Sequence, residues 1–158
     1  MQARGLRLVK FLRMLLAWLL AAAVTAVTGS VVQSQFNLAA IAAIGAPVSF
    51  GARLQVTLHD LVHFAPTFGL ISAAGFLVAF LVAALLVRRR PARRTFLYTL
   101  AGAAAIVAAI GLMNAMLPVT AIGAARSWAG ILALALTGAL GGWSFARVSL
   151  VLAKRSAS

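Results

Sequence analysis

Four long apolar stretches alternate with short basic ones along this chain, and no charge falls between Arg13 and Arg53. A bilayer core is about 30 Å thick and takes about 20 apolar helical residues to cross. The pattern therefore predicts four membrane-spanning helices over about 11–32, 67–87, 96–117 and 128–146. The second ends at an arginine cluster, and Pro118 stops the third because proline cannot continue a helix. Trp128 and Trp143 sit near the two ends of the fourth, where aromatic rings favour the membrane interface.

The first stretch is too long for one crossing at about 1.5 Å per residue and too short for two crossings and a turn. We expect a helix to residue 32 and a polar exit at Gln33, Ser34, Gln35 and Asn37. Residues 38–44 then form a short interfacial or re-entrant helix that Pro47 ends. An uncleaved span is preferred to a signal peptide, since the apolar run exceeds the usual core of about 7–15 residues. The remaining external loop, 33–66, is amphipathic in its second half. Phe50, Leu54, Leu58, Leu61 and Ala65 step by three or four, as on a helix. Arg53, Thr57 and Asp60 share another face, with Gln55, His59 and His63 beside it. Residues 54–59 also alternate with period two, which leaves a strand open. A lone strand would have no partner, so helix is the expectation.

Charge then fixes an orientation. Of 14 Lys and Arg residues, only Arg53 and Arg126 fall in the two connections on one side. The others cluster before the first span, between the second and third, and after the fourth. Positive loops stay cytoplasmic, so both termini are expected inside. The expected fold is an all-α integral membrane protein, a four-transmembrane-helix bundle with an amphipathic external loop between helices 1 and 2. The alanine- and arginine-rich composition suggests a bacterial inner membrane.

Composition removes many functions. With 64% hydrophobic and 9% charged residues, the chain departs from a soluble globule, which carries about 25% charge. The net charge of +13 sits at the ends of apolar spans, so we expect no nucleic acid as partner. In the basic loop, 88–95, Arg88, Arg89, Arg90, Arg93 and Arg94 are suited to anionic lipid headgroups. No cysteine is present, which excludes disulfides and thiol chemistry. No glutamate is present either, and Asp60 is the only acid. A catalytic carboxylate pair cannot be built, nor a relay of buried acids for proton coupling.

Small residues recur at helical spacing in every span. In lipid, such stripes let helices approach closely. They are Ala17, Ala21, Thr25 and Gly29; Gly75, Ala79 and Ala83; Ala101, Ala105 and Ala109; and Ala129, Ala133, Thr137 and Gly141. The fourth span carries a second small face at Gly138 and Gly142, which either packs inside the monomer or docks another copy or another membrane protein.

The sharpest chemical constellation is His59-Asp60-x-x-His63. Histidines at i and i+4 project to one side of a helix and can share a metal. Asp60 points about 100° away around the axis, so it would instead orient a ligand or pair with Arg53. With no third ligand in the chain, the simpler reading is an interfacial helix whose imidazoles reach water. No cofactor is expected; haem in particular would need histidines on facing helices. Asn114 is the most polar residue deep in a span, one turn before Pro118, and in lipid it needs a hydrogen-bond partner. Together with Gln33, Gln35 and Asn37 it could line an external vestibule or polar path.

The expected function is non-enzymatic: an accessory, scaffold or assembly subunit for other membrane proteins or for its own oligomer, with lipids as further partners. The alternative is a small transporter, channel or binder of lipophilic ligands using the Asn114 cluster. A metalloenzyme built on His59 and His63 ranks third.

Overall fold

In the computed structural model, residues 2–117, 120 and 122–154 are described, and they form helices and short turns without strands. Helix α1 covers Gln2–Ala43, α2 Phe50–Arg89, α3 Arg94–Met116 and α4 Trp128–Lys154. All four are long and apolar enough to cross a membrane. Single 3-10 turns, Pro91–Arg93 and Gly123–Arg126, join α2 to α3 and α3 to α4.

The first two helices are longer than the sequence pattern suggests. At 42 and 40 residues they extend to roughly 60 Å each at about 1.5 Å per residue. The predicted polar exit does not end the helix. Gln33, Ser34, Gln35 and Asn37 stay helical, and 38–43 continues the same helix rather than forming a separate short one. Polarity weakens a membrane crossing rather than a helix, glutamine being a good helix former, and here α2 and the α3–α4 turn offer these side chains partners. The helix stops at Ala43, where Ile44 and Gly45 close back on Ile41 and Ala42. Gly45 has φ of 85°, a left-handed geometry that glycine adopts without penalty.

Ser49 begins α2 as its N-cap, its hydroxyl accepting from the Ala52 amide at 3.2 Å. Such a cap satisfies one of the orphan amides of the first turn. The residues expected as loop up to 66 are thus mostly helix, and the strand reading of 54–59 falls away. Pro66 lies inside α2. Its missing N–H removes one backbone bond from the helix without ending it. Leu117 is extended, as suits a residue before proline. Pro118 itself, expected to stop α3, and Arg155 at the basic end lie outside the described residues.

The helices run up and down in ring order: α1 packs on α2 and α4, and α3 on α4 and α2. This brings the start of α1, the α2–α3 connection and the end of α4 to one basic end. Arg13 donates to the Leu152 carbonyl there at 2.9 Å, and Arg94 to Ser149 Oγ at 2.6 Å. An aromatic cluster fills the core just below. Phe80 lies 4.7 Å from Phe76, 5.6 Å from Tyr98 and 4.6 Å from Phe145, centroid to centroid.

Small residues set the helix contacts elsewhere. Ala17, Ala21, Thr25 and Gly29 are all buried, with Thr25 Oγ1 donating to the Thr137 carbonyl at 3.2 Å. A Cβ built at Gly29 would run into the Phe68 ring. One at Gly138 would strike the Gly102 carbonyl, and one at Gly142 the Tyr98 carbonyl. The second small face of α4 is therefore covered by α3 of the same chain.

Candidate functional site at the hairpin end

Beyond the α3–α4 turn, α1 and α2 continue together as a helical hairpin closed by residues 44–49. Its inner face is a polar seam. Ser34 Oγ, fully buried, lies 2.7 Å from Asp60 Oδ2 and 2.9 Å from the Ser30 carbonyl. One hydroxyl proton serves one acceptor at a time, and a carboxylate is the stronger of the two. Gln35 Nε2 donates to Thr57 Oγ1 at 3.1 Å, while Arg53 donates to Gln35 Oε1 at 3.4 Å. The lone acid is thus held by α1, and Arg53 reaches Gln35.

Gln33 and Asn37 serve a different neighbour. Gln33 Oε1 accepts from the Ala124 amide at 2.8 Å. A Cβ built at Gly123 would meet Asn37 Oδ1, so the α3–α4 turn lies directly against these two side chains. Gln33 and Asn37 dock that turn while Gln35 faces α2, so the three do not gather around one opening. Asn114 stands apart from them on the exposed side of α3, with no hydrogen bond to them among the described residues.

His59 and His63 are exposed and stacked, centroids 4.0 Å apart. His63 Nδ1 lies 2.9 Å from the His59 carbonyl, so in the tautomer that donates from Nδ1 only Nε2 remains outward. Asp60 turns from this pair toward Ser34. Among the described residues no group of three His, Asp, Glu or Cys could hold a metal ion.

The amphipathic face read from the sequence divides in two. Ala65 is buried and Leu61 half-buried against the bundle. Phe50, Leu54, Leu58 and Val62 face outward with Ile41 and Ile44, Ile44 and Phe50 being 83% and 81% exposed. Ser34 and Thr57 escaped the sequence reading as structural partners. The signal for them was spacing: Ser30, Ser34 and Asn37 on one helix and Arg53, Thr57 and Asp60 on the other both follow a three-or-four step.

At the basic end the arginines separate into two kinds. Arg94 lies over the Tyr98 ring, 5.0 Å from its centroid, and its Nε is buried without a partner. Arg88, Arg89, Arg90 and Arg93 are exposed. Gly141 packs against Thr25 and the Ala21 carbonyl of α1. Two large clefts open on the sides of the bundle. One of about 930 Å³ lies between α2 and α3, and one of about 390 Å³ between α1 and α2 beside Trp18 and Phe80.

The fold and these faces define a four-helix bundle with the dimensions and polarity of a membrane protein. No protein-family model, curated protein or solved structure matches the chain.

Proposed function

We propose that this chain is a non-enzymatic accessory subunit of a bacterial inner membrane, with both termini cytoplasmic, that binds another membrane protein through the α1–α2 hairpin. The observation carrying this reading is the outward apolar row at a hairpin too long to be covered by lipid. Roughly 57 Å of helix separates Phe50 from Arg88 at about 1.5 Å per residue. At the usual tilt of about 20° it spans roughly 54 Å, against about 40–45 Å for a bilayer with its headgroups. If the exposed arginines mark the cytoplasmic surface, Phe50, Leu54 and Ile44 lie beyond the opposite one. Exposed apolar rows of this kind mark interaction surfaces, and the polar seam on the hairpin's inner face holds the row outward.

The orientation is tested by single cysteines in this naturally cysteine-free chain. A membrane-impermeant maleimide should label Ser49→Cys in intact cells and leave Ala92→Cys unlabelled; the reverse pattern would overturn it. The partner is tested by native mass spectrometry after gentle extraction. A defined companion protein should be present and should be lost from the combined Phe50→Ser, Leu54→Ser, Leu58→Ser variant. A companion that survives those three changes, or a parent chain that emerges alone, would sink the accessory reading. A homo-oligomer would redirect it to self-assembly.

A further inference from the structure

The cleft between α2 and α3 is walled by Ile71, Val78, Val82 and Leu86 from one side and by Leu97 and Ala108, among others, from the other, with no polar side chain in its lining. Its volume of about 930 Å³ is at the upper end of the ~300–1,000 Å³ of small-molecule sites. From Ile71 to Leu86 it runs roughly 22 Å along α2. A half-bilayer offers about 15 Å of hydrocarbon depth, so the cleft accommodates an extended acyl chain along its whole length.

The same helix faces change character at the basic end. Arg89 follows Leu86 by three residues and Val82 by seven, continuing the stripe that lines the cleft. Arg93 precedes Leu97 by four. Both arginines are exposed. The first turn of α3 has no acidic residue and its N-cap offers no side-chain bond, leaving the positive end of the helix dipole unopposed. The chain's single acid, Asp60, is bonded to Ser34 at the far end of the bundle.

We infer that this cleft holds one acyl chain of an anionic phospholipid, whose phosphate is bound by Arg89 and Arg93 at the cleft mouth. A transmembrane helix from another protein would cover the apolar wall and leave the arginines without anions. A neutral phospholipid would fill the cleft with no net charge to offer them. An anionic lipid satisfies both ends at once. The inference rests on the membrane placement and not on the accessory role, which depends on the opposite end of the molecule.

Native mass spectrometry of the detergent-solubilised full chain tests it, with phosphatidylglycerol and phosphatidylcholine of identical chains added in parallel. One phosphatidylglycerol should be retained per chain, favoured over phosphatidylcholine by roughly tenfold or more, since each arginine near the surface contributes roughly fivefold. Arg89→Gln with Arg93→Gln should bring the two lipids to near parity while keeping a lipid bound. Ala108→Phe should weaken retention of both. Ala108 is exposed within the cleft, so the larger ring obstructs it partway along without entering the core. Ala104→Leu, also exposed there, provides a second filling, with tryptophan fluorescence reporting that each variant is folded. Equal retention of the two lipids by the parent chain would overturn the proposal. So would undiminished retention in both folded filling variants. Displacement of the lipid by inorganic phosphate alone would show a simple anion site and overturn it too.

Discussion

Gly102 and Ala105 lie one turn apart on α3 and meet different neighbours. Gly102 meets Gly138 and Gly142 on α4 so closely that a Cβ on any of the three would strike backbone. On the α2 side, a Cβ added at Gly75 would lie 3.5 Å from that of Ala105, an ordinary van der Waals distance, and the helices part around them into the large cleft. Both seams are written with small residues four apart. The difference is that glycine faces glycine across one and alanine across the other, where the single methyl of Ala105 stands between the two backbones. Close packing and an open groove therefore come from the same one-dimensional signature.

The largest way to break this contrast is Gly142→Leu. The side chain would have to displace the Tyr98 and Thr99 backbone, and overpacking of a rigid contact costs about 3 kcal/mol at the upper end of its usual range. A denaturant titration in detergent, followed by tryptophan fluorescence, should show that loss; unchanged stability would mean α3 and α4 can separate without cost. Thr25→Val addresses the α1–α4 seam, where shape is kept and only the bond to the Thr137 carbonyl is lost. Hydrogen bonds between membrane helices average about 0.6 kcal/mol, and the same titration should show a shift of that size. Gly75→Ala is the mildest. Its new methyl enters ordinary contact distance and the helix gains propensity, so stability should move by no more than about 0.5 kcal/mol, on the favourable side. A large loss there would show that the α2–α3 seam is as tight as the other.

The contrast also shows where the sequence was readable. The third helix, the start of the fourth and the end of the second followed from apolar length bounded by arginines and tryptophan, because those signals act locally; the start of the second, at Phe50, did not. Nor did the extent of α1. Gln33 to Asn37 look like the end of a span when only hydropathy is weighed, and their partners are Asp60, Thr57 and Ala124, distant in sequence. Asn114 misled for the converse reason. A polar residue near the end of an apolar helix invites an inward reading, but facing is set by rotation about the axis, and here the third helix turns it outward. The stripe at Ala17, Ala21, Thr25 and Gly29 was legible as a contact, while its neighbour was not: spacing gives the face, and only the assembled bundle gives what lies against it.

The ring closes through the fourth helix alone. It covers the α1 stripe at Thr25 and receives Arg13 at the Leu152 carbonyl, and it covers α3 at Gly102. A ribosome adds this helix after the other three, so throughout most of synthesis the earlier helices have their glycine faces turned to lipid or to one another. The contacts that close the ring span more than a hundred residues, as Thr25 to Thr137 and Arg13 to Leu152 do, or join α3 to the same late segment at Gly102. Synthesis of the fourth helix and closure of the ring are thus a single event, and a chain arrested before residue 128 would keep the Gly102 and Thr25 faces uncovered.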